Sequence, residues 1–241
     1  RGKFVSKIKS FFIKKNGKKL FTEVNYKKLG VLLTIGIFTI LTVYYLLSPI
    51  IGIAIGGSII YSNGNELREN VTSYNFQEAK TNINLIEDHL FRIKKNTQRL
   101  NWAIKLLNKE DFSRELDKVY LGLEYALDSG DSLLSGLEPL ALYVKDFEPS
   151  INFETSTPNS TKEYREYLNA IDEKSYLTED GAYKLKLSEE IISNVVVEHF
   201  PTFLQDYVLQ LKSGINEASN AGSHISNLLI FFPDNAGDSE R

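Results

Sequence analysis

The sequence predicts a mainly α-helical membrane protein, with a single transmembrane helix followed by a long antiparallel helical hairpin and further extracytoplasmic helices. Three observations support this fold class. Residues 29–60 contain no charged side chain, and the 28 residues before them hold ten Lys or Arg and one acid. Apolar residues then recur at steps of three and four through most of the remaining chain. The first two observations indicate an anchor and its orientation, and the third indicates helices.

The uncharged run predicts a transmembrane segment over residues 29–61. A bilayer core about 30 Å thick needs about 20 apolar residues in a helix, so only the part from Leu29 to Leu47 has to span it. Pro49 predicts a kink, after which the rest tilts, enters the outer interface or packs against another protein. A cleaved signal peptide is the alternative, but its apolar core is typically about 7 to 15 residues, which favours a retained anchor.

Residues 1–28 form a basic arm. Lys and Arg accumulate on the cytoplasmic side, which predicts a plasma-membrane protein with a cytoplasmic N-terminus and an extracytoplasmic C-terminal region. The arm is expected either to lie on an anionic inner leaflet as a short helix or to be a disordered tail. Its expected lipid contacts are Lys7, Lys9, Lys14, Lys15, Lys18, Lys19, Lys27 and Lys28.

Gly52 and Gly56 are separated by three residues within the uncharged run. This small-xxx-small spacing allows two helix backbones to approach closely in lipid, so both are candidates for helix packing in the membrane. A hinge beside Pro49 is the alternative role.

Two apolar rows with helical spacing, joined by a polar turn at residues 108–111, predict the helical hairpin over residues 66–147. Asp111 is the expected N-cap of the second arm, and Trp102 is expected to pack against the partner helix or to face another subunit. Pro, Ser, Thr and Asn predict a linker at 148–161, and residues 162–241 form a further helical region, bent at Pro201 and divided at Gly214. The expected seam residues are Ile83, Ile86, Leu90, Ile93, Leu116, Val119, Leu123 and Leu133.

Several kinds of chemistry are not expected. The chain has no cysteine, no phosphate-binding glycine loop and no nucleophile elbow, and its three histidines lie far apart. Residues 61–241 carry 18 basic and 30 acidic side chains, which argues against nucleic acid as a partner. We therefore expect no catalytic residue, no metal site and no cofactor.

The order of basic tail, single span, helical hairpin, Pro-rich break and further helices ends in the segment Leu228–Asp238. This layout resembles the bacterial envelope proteins of domain-of-unknown-function family 4012, in which an anchor and a helical stalk precede a globular extracellular domain. In such proteins Asp234–Asp238 would correspond to the loop before the first strand of that domain. The resemblance then implies a stalk whose globular part lies outside these residues, and it carries over no catalytic residue.

The expected function is that of a membrane-anchored, non-enzymatic cell-envelope protein whose helices serve as a stalk or protein-contact surface. An accessory subunit of a membrane complex belongs to the same class, and the expected partners are the bilayer and other envelope proteins, with a homo-oligomer as one option. The alternative is the ectodomain of a single-pass sensor that binds a small ligand. Such a sensor needs a cytoplasmic output module, and only 28 residues precede the span.

Overall fold

The computed structural model describes residues 26–147 and 161–237. Helix makes up 94% of it, and the described residues contain no strand, which confirms the mainly α fold class. The chain divides into two compact units, Arg1–Leu47 and Ser48–Arg241. The described helices are α1 (Tyr26–Thr42), a π-helical segment (Val43–Leu47), α2 (Ser48–Thr72), α3 (Phe76–Leu106), α4 (Glu110–Phe147), α5 (Thr161–Ser193), a 3₁₀ turn (Val197–His199) and α6 (Thr202–Gly237).

The first unit contains α1 and the π-helical segment. The hydroxyls of Thr34, Thr39 and Thr42 each donate to the backbone carbonyl four residues earlier, at 2.9 Å. These polar side chains are therefore satisfied within their own helix and need no water. The π-helical segment lies just before Pro49, whose ring would clash with the carbonyl of Tyr45 in a regular α-helix. Its wider turns remove that clash at the place where the sequence predicts a kink.

In the second unit, helices that follow one another in the sequence pack together: α2 with α3, α3 with α4, α4 with α5, and α5 with α6. The first two connections are tight turns, each with one residue in the left-handed region, Tyr74 at φ 55° and Asn108 at φ 53°. Asn tolerates this conformation better than most residues, which suits it to a tight helix-to-helix turn. Helix α4 begins at Glu110, so Asp111 lies in its first turn and is not the N-cap.

Two apolar clusters stabilise the second unit. One joins α4 to α5, α6 and the connection between them, through Val119, Ile192, Val195, Phe200, Val208 and Ile215. The other joins α3 to α4, with Leu67 of α2 packed against it, and contains Phe76, Ala79, Ile83, Leu134 and Ala141. Apolar burial of this kind is the main favourable term in helix packing.

Three expectations about the last two helices are wrong. Pro201 does not bend a helix, because α5 ends at Ser193 and α6 begins at Thr202, directly after the proline. Gly214 does not divide the last helix, since α6 continues through it to Gly237. For the same reason Asp234–Gly237 is helical and is not a loop leading to a strand. A proline preceding a helix needs no backbone donor, and one exposed glycine weakens a helix by only about 1 kcal/mol.

Candidate functional site

The candidate membrane segment is formed by α1 and the residues that follow it. Among the described residues one helical segment, Gly30–Thr72, is long and apolar enough to cross a membrane. Its most apolar stretch buries none of its residues within the protein. Leu32, Phe38 and Ile40 are each 66 to 71% exposed. An uncharged helix that exposes large apolar side chains in this way is typical of a segment that contacts lipid or another protein.

The predicted lipid-contacting lysines fall largely outside the described residues. This applies to Lys7, Lys9, Lys14, Lys15, Lys18 and Lys19. The backbones of Lys27 and Lys28 lie in the first turn of α1. The role of all eight in binding an anionic leaflet stays a prediction.

Gly52 and Gly56 lie on the face of α2 that packs against α3. A Cβ at Gly52 would overlap the side chain of Asn96, and one at Gly56 would approach Ile93 Cγ1 to 2.7 Å. These glycines therefore allow close contact between α2 and α3, and the predicted packing of membrane helices through the same pair stays a prediction. The same stretch of α3 carries four basic residues, Arg92, Lys94, Lys95 and Arg99. An apolar sequence context alone could not distinguish these two uses of a glycine pair.

A polar network fixes α2 against α3 further along. The side-chain amide of Asn82 donates to Asn63 Oδ1 at 3.3 Å and to Glu66 Oε2 at 3.1 Å, and its oxygen accepts from Asn70 Nδ2 at 2.8 Å. Asn82 is 5% exposed, so its partners in the protein replace water. Buried asparagines of this kind specify helix register, because any sliding leaves their amides unpaired.

The predicted seam residues divide between different neighbours. On α3, Ile83, Ile86 and Leu90 are buried, and Ile83 belongs to the cluster that contains Leu134 and Ala141 of α4. The row predicted on α4 faces elsewhere: Leu116, Val119 and Leu123 pack with residues of α5, α6 and their connection.

Helix α4 thus has two apolar faces. Leu133 faces α5, where it is the nearest side chain to Gly181. The apolar spacing in the sequence did not distinguish the two faces, because a helix that packs between two other helices is apolar at more than one heptad position.

Polar side chains fill much of the contact between α3 and α4. The hydroxyls of Thr97 and Tyr120 are 2.8 Å apart, and Lys94 Nζ lies 2.6 Å from Glu124 Oε1. Thr97 interrupts the row of apolar residues formed on α3 by Leu90, Ile93 and Leu100, and it is only 9% exposed. Burial raises the pKa of Tyr120, although the hydrogen bond to Thr97 acts in the opposite direction. The interruption in the row is therefore a buried hydrogen-bonding position.

Small residues spaced by seven form the contact between α4 and α5, and the sequence reasoning missed them. Gly122, Ser129 and Gly136 lie on α4 and face Ser188, Gly181 and Thr178 of α5. Ser129 Oγ donates to the carbonyl of Gly181 at 2.6 Å, and Ser188 Oγ donates to the carbonyl of Gly122 at 2.7 Å. A short side chain reaches the backbone of a neighbouring helix only when the two backbones are close. The seven-residue repeat of small residues is the sequence signal that could have predicted this contact.

Ion pairs flank this contact. Lys174 Nζ lies 2.7 Å from Glu138 Oε2, and Lys184 Nζ lies 2.8 Å from Asp180 Oδ2. The hydrogen bond from Lys174 lowers the pKa of Glu138, and the hydrogen bond from Lys184 lowers the pKa of Asp180. Glu138 lies on α4, so its pair with Lys174 joins the two helices, whereas Asp180 and Lys184 both lie on α5. All four side chains are partly exposed, so the pairs contribute little to stability.

Glu115 is a buried carboxylate that holds the connection between α5 and α6. Its side chain is 1% exposed, and Oε2 accepts from the backbone N–H of Val196 at 2.9 Å and from Lys118 Nζ at 2.9 Å. Burial favours the neutral acid, but the hydrogen bonds from Val196 and Lys118 outweigh it, and the pKa of Glu115 is lowered. His199 Nδ1 lies 3.8 Å from Glu115 Oε1 and has no hydrogen-bond partner. Partners converge on this carboxylate from two parts of the chain, which indicates a structural role.

Neither metal coordination nor similarity to other proteins assigns a function here. Within residues 26–147 and 161–237, no group of three or more His, Asp or Glu side chains is arranged to hold a metal ion. No protein-family model, no curated protein and no solved structure matches the chain. The resemblance to family 4012 therefore stays a prediction.

Proposed function

We propose that this chain is a non-enzymatic, single-pass membrane protein whose helical second unit serves as an extracytoplasmic stalk or protein-contact surface. The observation that carries the proposal is the contrast between the uncharged, exposed α1 and a second unit with two apolar clusters of its own. An apolar helix that no described residue covers is suited to lipid and is unfavourable in water.

The span we propose is shorter than the uncharged run. Leu29–Leu47 contains 19 residues, which extend about 29 Å as a helix and match the hydrocarbon thickness. From Gly52 onward, α2 packs against the part of α3 that carries Arg92, Lys94 and Lys95. Each such charge at the centre of a bilayer costs about 3 kcal/mol or more, which favours a position outside the hydrocarbon for this helix pair.

The uncovered face of α2 supports a role in contacting other proteins of the membrane. Ile50, Ile51 and Ile55 are 50 to 57% exposed, although they belong to a helix that packs tightly on its other side. An exposed isoleucine stripe next to a span is typical of a subunit that binds neighbouring membrane proteins. We propose that this chain acts as an accessory subunit or forms a homo-oligomer through such contacts.

Fractionation and protease protection test the proposal. The full chain should sediment with membranes after cell breakage and require detergent for extraction. In intact cells, added protease should cleave exposed sites of the second unit and leave the basic arm intact. Recovery in the aqueous fraction would contradict the anchor, and protection of α3 and α4 from external protease would contradict the orientation.

A second measurement addresses the partner. Detergent-extracted chain, analysed by size and mass, should travel with other proteins or as an oligomer. A monomer whose melting temperature rises with a small molecule would instead support the sensor. A reading frame that continues past Arg241 into a strand-rich domain would support the resemblance to family 4012.

A further inference from the structure

We propose that one end of the second unit rests on the lipid surface and inserts its apolar side chains at the boundary between headgroups and acyl chains. We call this end the tip and define it as residues 101–112 and 194–207. The inference deepens the proposed function and rests on it, because it requires a span that precedes Ser48.

The tip brings two connections of the bundle together. The end of α3 is joined to the start of α4 by Ser113 Oγ, which donates to Asn101 Oδ1 at 3.1 Å. The connection between α5 and α6 packs beside it, with the rings of Phe112 and Phe200 5.5 Å apart. The two connections therefore form one surface.

The same end contains the start of α2. Contacts between Gly52 and Asn96, between Gly56 and Ile93, and between Asn63 and Asn82 show that α2 and α3 run antiparallel. By this register Ser48 lies level with about Leu100. The last six residues of α3 therefore extend about 9 Å beyond the start of α2. Since Ser48 directly follows the proposed span in the chain, the end of the second unit that contains the tip is also the end joined to the span.

Large apolar side chains are concentrated at the tip. Five described residues of the second unit have large apolar side chains that are more than 65% exposed, and four of them lie there: Leu106 at 77%, Leu107 at 70%, Phe203 at 74% and Tyr207 at 68%, with Tyr61 elsewhere. Trp102 adds a side chain that is 48% exposed. Its side chain is therefore only partly covered within the protein.

This composition fits a lipid interface. Trp and Tyr prefer the headgroup region, where the ring is in an apolar environment and the polar atom remains hydrated, and Leu and Phe add apolar area. Within the tip, Lys105 and Lys109 are outnumbered by Glu110, Asp111, Glu198 and Asp206, so the tip has no excess positive charge with which to bind anionic lipid. We therefore infer that a zwitterionic lipid surface is sufficient for the tip to bind. The tether to the span holds the tip at the surface at high effective concentration, so a small apolar contact is enough.

Trp102 is the only tryptophan in the chain and reports on the tip directly. The full chain is placed in phosphatidylcholine nanodiscs, with and without bromine midway along the acyl chains. We expect brominated lipid to quench most of the Trp102 fluorescence and aqueous acrylamide to quench little of it. A matched control carries Trp102→Phe with Phe91→Trp, which moves the reporter along α3 to an exposed position about 16 Å away. This variant should show the opposite pattern.

The outcomes separate the tip contact from the anchor. If the chain enters nanodiscs and acrylamide quenches Trp102 while brominated lipid does not, the tip contact is overturned and the anchor stands. The tip contact is also overturned if neither reagent reaches Trp102, because a protein then covers it. If the chain does not coelute with nanodiscs at all, the anchor fails and the tip contact with it. Replacing both Leu106 and Leu107 by serine should reduce quenching by brominated lipid without releasing the chain.

Discussion

The contacts between α2 and α3 and between α4 and α5 achieve close packing in different ways. The first combines two glycines four residues apart with a buried amide network around Asn82. The second repeats small residues every seven positions and adds hydroxyl bonds from Ser129 and Ser188 to the facing backbone. Side-chain networks mainly fix register, whereas hydroxyl-to-backbone bonds fix the distance between helices. The comparison shows that two helices of this chain can approach closely without an apolar sequence around the contact.

Steric overlap at the contact between α4 and α5 should give the largest effect. Gly181→Leu places a side chain where even a Cβ would lie 2.7 Å from Leu133 Cγ and 3.0 Å from the carbonyl oxygen of Ser129. Because the carbonyl belongs to the backbone, the helices must separate, and we expect a loss of about 3 kcal/mol or more in the free energy of unfolding. Urea unfolding of the full chain in detergent, followed by circular dichroism, measures it.

Gly214→Leu is the matched control. Gly214 also lies inside a long helix, but a Cβ there meets nothing within 4 Å. Leucine is the better helix former, so this variant should be slightly more stable than the wild type. Equal behaviour of the two variants would show that α4 and α5 are not closely packed in solution.

Removal of the buried carboxylate should have the next largest effect. Glu115→Ala leaves the backbone N–H of Val196 and the ammonium of Lys118 without their acceptor. Because both bonds are made to a charged group, we expect a loss of about 2 kcal/mol at neutral pH. Asp111→Asn, which removes an exposed partner of Arg114, should change stability by less than about 0.5 kcal/mol. A loss of similar size in both variants would contradict a special role for Glu115.

The same carboxylate gives a pH dependence. Its pKa is lowered in the folded protein from the ordinary value of 4.5, so its contribution is fully present above that value and is lost as the pH falls through the lower folded pKa. Glu115→Gln cannot be protonated in this way. Its deficit relative to the wild type should therefore shrink below about pH 4.5, as thermal unfolding at a series of pH values would show. A constant deficit down to low pH would contradict the lowered pKa.

The amide network between α2 and α3 should contribute less, because part of it is accessible to water. Asn82→Ala removes hydrogen bonds to Asn63, Glu66 and Asn70, and we expect a loss of about 1 to 2 kcal/mol. Asn220→Ala is the control, since Asn220 makes one exposed bond within its own helix. If the network specifies register, protection of α2 amides from hydrogen exchange should also fall. Unchanged protection would limit the network to a local role.

Particular residues show how much of the architecture the sequence predicts. Periodicity predicts the helices because apolar spacing reflects burial, and Ile83, Ile86 and Leu90 are buried as expected. It does not reveal which helix a residue packs against. Val119 faces α5 and α6, although its spacing suits a hairpin seam equally well. The contact around Ser129 and Gly181 was missed because searches for apolar rows pass over small polar residues. Which helices pack together depends on how well the surfaces of segments distant in the sequence fit one another. A single row of apolar residues carries no information about that fit.

The smallest expected effect isolates one hydrogen bond at the contact between α4 and α5. Ser129→Ala keeps the small volume that close approach requires and removes the donor to the carbonyl of Gly181, which lies 2.6 Å from the hydroxyl. We expect a loss of about 1 kcal/mol, because the carbonyl retains its bond within α5 and loses only a second partner. Ser223→Ala, whose hydroxyl bonds within its own helix, should change stability by less than about 0.5 kcal/mol. If Ser129→Ala matched this control while Gly181→Leu remained severe, the contact would depend on shape alone, and the hydroxyl bonds would follow from the close approach without causing it.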